Sequence, residues 1–199
     1  VVGCRFQKAL SLYDGKFNEI KTVKTKVYDK PFDAWLTKRD VAVTVWGRLY
    51  KRGALDNISF IEGIYFEDVP WSFALFSGIG KYVQIDAPLY CYYINPTATM
   101  RSDWSDEKTR SYIEVIRAVD AYTKAHRPND WKRVQKLALN QRVKMILNRL
   151  GKTPAAHRAE AYAFAAREIG KLYDEGIVSY AGLKLKHRFA LWKLLRSRK

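Results

Sequence analysis

Hydrophobic and polar positions follow different periods in the two halves of the chain. Up to residue 103, short apolar and β-branched runs predict strands at 1–6, 81–86 and 88–94, and the segment 14–30 predicts an edge hairpin. An apolar run at 69–76 predicts a short buried helix before the strand at 81–86. This order of strand, helix and strand predicts a mixed α/β fold.

After Asn95-Pro96 the apolar spacing becomes that of helices. Segments 111–124 and 130–150 each predict one helix, and Gly151 is the predicted C-cap of the second. Thr153 and Pro154 predict the N-cap and first turn of a third helix, which runs to Gly176. The apolar stripe of the first helix consists of Tyr112, Val115, Ile116, Val119 and Tyr122.

A fourth predicted helix, at 183–198, is basic and carries apolar side chains on two nearly opposite sides. This pattern predicts that one side packs on the protein and the other meets lipid. The two sides are formed by Leu183, Ala190 and Leu194, and by Leu185, Phe189 and Trp192.

Composition places the chain among globular proteins. Of its 199 residues, 48% are hydrophobic and 14% aromatic, which excludes disordered and collagen-like chains because those lack enough apolar surface. No apolar run approaches the roughly 20 residues that span a bilayer. The chain starts at Val1 without Met or a signal peptide, so we expect a piece of a longer protein. Cys4 and Cys91 sit among apolar neighbours, which favours buried thiols in a reducing cytosol.

Positive charge is concentrated in the second half. The net charge of +16 divides into +3 up to residue 103, from 14 basic and 11 acidic residues, and +13 beyond it, from 22 and 9. Residues 181–199 contain seven Lys or Arg and no acid. Such a segment is typical of phosphate binding on lipid headgroups or nucleic acid, and charge alone does not choose between them.

Glu67 and Asp68 are adjacent acids between aromatic and apolar residues, from Phe60 to Trp71. A desolvated carboxylate has a raised pKa, as suits a general base. Asp68 could equally cap a helix that begins at Val69-Pro70, and the two roles are compatible.

Three motifs follow one another in the chain: residues 45–55 with Trp46-Gly47-Arg48, residues 60–70 with Glu67-Asp68, and residues 88–101 with Tyr92-Tyr93, Asn95-Pro96 and Arg101. In this order they resemble the second half of a family 2 nucleotide-sugar glycosyltransferase of the GT-A type. The resemblance covers about residues 1–103, with 1–6 similar to the strand after the family's metal-binding motif.

The resemblance implies that Asp68 is the base that deprotonates the acceptor hydroxyl and that Glu67 orients it or binds acceptor. It implies an inverting transfer of a sugar from a nucleotide-diphosphate donor, with a divalent metal, Mn or Mg, in the full-length enzyme. The implied organisation is an acceptor-side half at 1–103, with a partial GT-A-like sheet and flanking helices, followed by a basic helical extension at 104–199. Acceptor or donor contacts are expected from Trp46, Arg48, Tyr93 and Arg101.

The sequence also departs from the family. No Asp-x-Asp occurs, so we expect the isolated chain to bind neither donor nor metal and to be inactive. Gly47-Arg48 stand where the family usually has Asn-Lys, and Tyr93 stands where an Arg is common. His126, His157 and His187 lack metal-ligand spacing, so no metal residue is predicted.

The leading prediction is therefore a bacterial enzyme fragment of surface polysaccharide or glycolipid synthesis. We expect it to be cytoplasmic and peripheral at the inner membrane face, attached to anionic lipid through residues 181–199. The alternative is a nucleic-acid-binding helical module, which lacks a helix-turn-helix signature. A third interpretation is an inactive scaffold domain.

Overall fold

A computed structural model of the chain describes residues 1–9, 23–37, 41–95 and 105–197. The chain forms two compact units, one of Val1–Phe60 with Trp71–Ser102 and the other of Ile61–Pro70 with Asp103–Lys199. The predicted functional division between 1–103 and 104–199 stays a prediction.

The first unit is built on a four-stranded mixed sheet. Its strands are β1 (Val2–Ala9), β2 (Thr25–Tyr28), β3 (Arg48–Leu49) and β4 (Tyr82–Tyr93). They lie in the order β2-β4-β1-β3; the two central strands are parallel, and each edge strand pairs antiparallel with a central neighbour. The predicted mixed α/β class is therefore confirmed, while a GT-A-like arrangement of the sheet stays a prediction.

Strand β4 is continuous where the sequence predicted two strands. Opposite it, Cys4 pairs with Ile85 and the next residue, Arg5, pairs with Pro88, so that β4 carries extra residues at this point. Because proline has no N–H to donate, an irregularity in the ladder lets the strand accommodate Pro88 without breaking. The predicted hairpin at 14–30 lies mostly outside the described residues, and β2 is the part that is seen.

Among the described residues, two α-helices accompany the sheet. Helix α2 (Asp68–Gly78) confirms the helix predicted at 69–76; its first three residues belong to the second unit. Helix α1 (Pro31–Thr37) was not predicted, because seven residues are too few to display a helical repeat. The rings of Phe32 and Trp35 in α1 both contact the fully buried Phe73 edge-on, with ring centroids 5.5 Å apart.

The described part of the second unit beyond residue 104 is helical. Its α-helices are α3 (Asp106–His126), α4 (Trp131–Val134), α5 (Asn140–Leu150), α6 (Ala155–Asp174) and α7 (Leu185–Arg196). Helix α3 packs on α5 and α6, and α7 packs on α5 and α6. In the predicted stripe of α3, four residues are buried and Tyr122 is half-buried. The helix starts before residue 111 because the Ser105 hydroxyl accepts a hydrogen bond from the Lys108 N–H at 3.3 Å.

A π-helical turn, Gln135–Leu139, interrupts the single helix predicted at 130–150. The side chains of Gln135 and Asn140 both hydrogen bond to the segment that precedes α7. Gln135 Nε2 donates to the Gly176 carbonyl at 2.7 Å, and Asn140 Nδ2 donates to the Ala181 carbonyl at 2.6 Å. These tertiary bonds coincide with the irregular turn, which a helical repeat in the sequence could not reveal.

The predicted cap of α6 is wrong. The helix starts at Ala155 with Pro154 at the cap position, and no side chain caps its first turn. The Thr153 hydroxyl is buried and has no hydrogen-bond partner among the described residues. The predicted C-cap at Gly151 is confirmed.

Among the helices in the described ranges, none combines the length and the apolar character needed to cross a membrane.

Candidate functional site

The acidic pair lies on a strained turn at the start of α2. Phe66 has a φ of 66°, in the left-handed region that side chains other than Gly, Asn and Asp rarely adopt. Its carbonyl accepts a hydrogen bond from the Val69 N–H at 3.1 Å, which closes the turn around Glu67 and Asp68. A residue held in such a conformation costs about 1–3 kcal/mol, and strain of this kind clusters at functional sites.

Contacts with α3 hold this turn. The Phe66 ring stacks on the Tyr112 ring, with centroids 4.1 Å apart and planes inclined by 25°. The backbone N–H of Tyr65 donates a hydrogen bond to Ser111 Oγ at 3.1 Å. The position of Asp68 is therefore set by two contacts that its neighbours make with one buried helix face.

Asp68 is half-buried, and its carboxyl group is harder to ionise than an ordinary aspartate. Burial raises its pKa above 3.8, and the adjacent Glu67 carboxylate raises it further. The positive charge of Arg142 and hydrogen bonds from the backbone N–H groups of Val69 and Asp68 act in the opposite direction without cancelling the rise. Glu67 is exposed, so the two carboxyl groups differ in environment.

Two further ionisable groups interact with this carboxyl group, and sequence reasoning missed both. Burial lowers the pKa of Arg142 on α5 and raises that of Tyr112 on α3, and Asp68 adds to the rise at Tyr112. We call Asp68, Tyr112 and Arg142 the Asp68 cluster. Tyr112 was assigned only to the apolar stripe of its helix, and Arg142 carries no local signal, because their approach to Asp68 depends on tertiary packing.

The chemistry available to the Asp68 cluster is proton transfer. A partly desolvated carboxylate with a raised pKa is a stronger base than one in water, and it can accept a proton from a bound hydroxyl. The pKa rise that the flanking aromatic residues predicted is confirmed in direction.

Trp46 lies in an aromatic stack in the first unit. Its ring is nearly parallel to those of Tyr90 and Tyr92, with centroids 4.7 Å and 5.2 Å away, and Phe6 contacts it edge-on at 5.1 Å. The tyrosines lie two residues apart on β4 and therefore on one face of the sheet. The indole is half-buried, which leaves part of it accessible.

Arg48 is fixed beside this stack. Its guanidinium lies over the rings of Phe76 and Tyr82, 5.3 Å and 5.8 Å from their centroids, and Nη2 donates to the Ala42 carbonyl at 2.6 Å. Nη1 is buried, and the hydroxyl groups of Tyr50 and Tyr82 also interact with the guanidinium. A guanidinium held in place by these contacts is suited to an anionic ligand.

Trp46 and Arg48 line one cavity of about 590 Å³ in the first unit. Four basic side chains and one acidic side chain face it, and Asp86 is paired with Arg5. The excess of positive charge favours an anionic ligand. The charged lining residues are Arg5, Lys24, Lys26, Arg48 and Asp86.

The other predicted contact residues do not join this cavity. Tyr93 is the exposed last residue of β4 and is absent from its lining. Arg101 lies outside the described residues. Trp46, Arg48 and Tyr93 belong to the first unit, and Glu67 and Asp68 to the second.

The backbone at Gly47 forms a turn next to Trp46. Gly47 has a φ of +70°, a conformation that Gly adopts freely and Asn tolerates better than other residues. Its carbonyl accepts a hydrogen bond from the Cys4 N–H at 2.9 Å, so the turn is tied to β1. Few residue types other than Gly and Asn would therefore keep this turn without strain.

The described residues contain no group of three or more His, Cys, Asp or Glu side chains that could hold a metal ion. The described ranges thus offer no such ligand set for a divalent metal, and metal binding by a longer protein stays a prediction. Comparison with protein-family models, curated proteins and solved structures finds no match for this chain.

Proposed function

We propose that the chain is the acceptor-side half of an inverting, GT-A-type glycosyltransferase in which Asp68 is the general base. The observation that carries the proposal is the environment of this carboxyl group. Asp68 is half-buried on a strained turn, its pKa is raised, and the exposed Glu67 lies beside it. This is the residue that the motif resemblance independently designates.

The reaction is a single displacement. The acceptor hydroxyl gives its proton to the Asp68 carboxylate, while its oxygen forms a bond to the anomeric carbon of the donor sugar. The bond from that carbon to the nucleoside diphosphate breaks on the opposite face, and the diphosphate leaves with the electron pair. The configuration at the anomeric carbon is inverted, and no enzyme nucleophile is needed.

The remaining predicted residues have supporting roles in this proposal. Glu67 orients the base or binds acceptor, and the accessible part of Trp46 contacts a sugar ring. Arg48, which lines the positively charged cavity, binds an anionic group of donor or acceptor. Tyr93 and Arg101 are proposed as further contacts, and the donor is bound mainly by a half that this chain does not contain. We derive no step through a metal.

The substrates proposed are a nucleotide-diphosphate sugar and a carbohydrate or lipid-linked acceptor of bacterial surface polysaccharide or glycolipid synthesis. The test is a transfer assay with the full-length protein that carries this chain and a panel of nucleotide-diphosphate sugars. Proton NMR of the product, recorded before the anomers equilibrate, gives the configuration of the new bond. Inversion is expected. Retention would contradict a base role for Asp68, and absence of transfer from every donor would contradict the proposal.

The nucleic-acid alternative is supported only by the net charge of +13 beyond residue 103. The exposed basic residues of α7 surround exposed apolar side chains, whereas a surface that binds a phosphate backbone is predominantly polar and positively charged. A gel shift with mixed-sequence DNA and RNA at several salt concentrations tests it.

A further inference from the structure

Helix α7 has one buried and one exposed apolar side, as its sequence predicted. Of the predicted packing side, Leu183 and Leu194 are buried and Ala190 is half-buried. Leu191 and Leu195 are buried as well. Leu185, Phe189 and Trp192, spaced so that they follow one another along one helix face, have 83%, 65% and 44% of their surface exposed. We call these last three residues the α7 apolar face.

The α7 apolar face groups its exposed side chains into one surface. Of the four large hydrophobic residues that are exposed in the described part of the second unit, three belong to it. The Phe189 and Trp192 rings stack with centroids 5.6 Å apart. Together with Tyr180 they line a groove of about 560 Å³. A contiguous apolar surface of this kind marks an interaction site more often than scattered single residues do.

Basic side chains surround the α7 apolar face. Lys186 and Arg188 line the same groove, and the Arg196 guanidinium lies over the Trp192 ring, 4.7 Å from its centroid. Residues 181–199 contain no acid, so nothing within this segment neutralises them. The exposed basic residues of α7 and its cap are Lys184, Lys186, Arg188, Lys193 and Arg196.

We propose that α7 docks on an anionic lipid bilayer, with Leu185, Phe189 and Trp192 inserted among the acyl chains near the headgroups. A short helix with an apolar face and a basic border matches the two layers of that interface, acyl chains below and negative headgroups above. The positive charge around the α7 apolar face is complementary to anionic headgroups, and this combination with an apolar centre selects lipid as the partner. The proposal goes beyond the glycosyltransferase assignment and does not depend on it.

The first experiment is co-sedimentation of the chain with vesicles. Vesicles of phosphatidylcholine with roughly one third phosphatidylserine are compared with pure phosphatidylcholine, at low and high NaCl. We expect binding to the anionic vesicles that weakens with salt, and little binding to the neutral ones. Equal binding to both, or no binding to either, would overturn the proposal.

Matched variants assign the binding to α7. Leu185→Ser, Phe189→Ser and Trp192→Ser together should lower the partition coefficient by about tenfold or more, because the apolar contribution is lost. The control changes three exposed apolar residues of other elements to Ser, namely Leu49, Leu89 and Tyr162, and should bind like the wild type. Retained binding in the α7 variant with native circular dichroism would overturn the proposal.

Charge is tested in the same way. Lys184→Gln, Lys186→Gln and Arg188→Gln, each expected to weaken binding on the order of fivefold, are combined in one triple variant. A second triple variant changes Arg110, Lys132 and Lys152 to Gln and removes the same number of positive charges from exposed positions outside α7. Equal losses in the two triple variants would show that net charge alone is responsible and would contradict a specific α7 surface.

Trp192 provides a depth probe. Brominated acyl chains should quench part of the tryptophan fluorescence in the wild type, and Trp192→Phe should bind vesicles but lose that part of the quenching. Undiminished quenching in Trp192→Phe would overturn insertion at this residue. If the wild type self-associates and the triple Ser variant does not, the α7 apolar face binds a second copy of the chain. If the wild type shifts nucleic acid in a gel and the triple Ser variant does not, the face binds nucleic acid. Either result would overturn the proposal.

Discussion

At the scale of single residues, the Asp68 carboxyl group is placed where its charge is unfavourable. The flanking aromatic residues in the sequence predicted the direction of its pKa change, because they indicated burial. The sequence could not predict the roles of Phe66 and Arg142. The positive φ of Phe66 and the interaction of Asp68 with Arg142 on α5 cannot be recognised from the local sequence pattern.

The first prediction concerns the titration of Asp68. Its carboxyl carbon shift, followed by NMR, should report a pKa above 3.8. Asp68 then binds more protons in the folded protein than in the unfolded chain between 3.8 and the folded pKa, so its contribution to the free energy of unfolding should fall as pH rises through that window. Asp68→Asn does not titrate, and denaturant unfolding should show its stability rising relative to wild type across the window. A folded pKa at or below 3.8 would contradict the account.

The second prediction separates the influences on that pKa. Arg142→Met removes the positive charge that lowers the pKa of Asp68, so the titration should move to still higher pH. Arg149→Met is the control, because Arg149 affects the pKa of Tyr112 and is not among the groups that shift Asp68. Equal shifts in the two variants would argue against a direct interaction between Arg142 and Asp68.

At the scale of elements, the sequence predicted α2 and the long helices well, because their apolar repeats are complete within each segment. The sequence-based prediction failed where contacts between elements determine the local structure. One continuous β4 depends on pairing with β1 around Pro88, and the π-turn depends on the segment before α7. Helix α1 is too short to show a period.

The third prediction tests the pairing of β1 with β4. A Cβ at Gly3 would lie 2.1 Å from the hydroxyl oxygen of Tyr82, a fully buried side chain that donates a hydrogen bond to Gln84. Gly3→Ala should therefore lower the free energy of unfolding by about 1–3 kcal/mol. Tyr82→Phe should lower the free energy of unfolding less in the Gly3→Ala variant than in the wild type, because it removes the hydroxyl that the new Cβ would meet. Gly80→Ala, where nothing lies within 4 Å of the new Cβ, is the control. Equal effects of the two alanine variants in urea denaturation would contradict the packing.

The fourth prediction tests the bonds at the π-turn. Asn140 is fully buried, donates to the Ala181 carbonyl and accepts from the Ser179 N–H at 3.0 Å. Asn140→Ala leaves both backbone groups without this partner and should lower the free energy of unfolding by about 1–3 kcal/mol. The control is Gln141→Ala at the adjacent, half-buried position. Denaturant unfolding measures the stability of both variants. An unchanged free energy of unfolding for Asn140→Ala would show that these hydrogen bonds do not stabilise the protein.

At the scale of the whole molecule, composition and periodicity were sufficient to predict the mixed α/β class. They were insufficient for the grouping of Ile61–Pro70 with the helical unit. That grouping follows from the contacts of Tyr65 and Phe66 with α3, which a pattern read along the chain does not contain. The acidic pair could thus be found from its motif, while the helices that surround it could not.

The most direct test of the account measures sugar transfer by the full-length protein with Asp68→Asn. Loss of the base should lower kcat by about 10²–10⁴-fold while donor affinity changes little. Asp56→Asn, at an exposed position in the first unit, should transfer at the wild-type rate. Undiminished turnover by folded Asp68→Asn protein would contradict the assignment of the base.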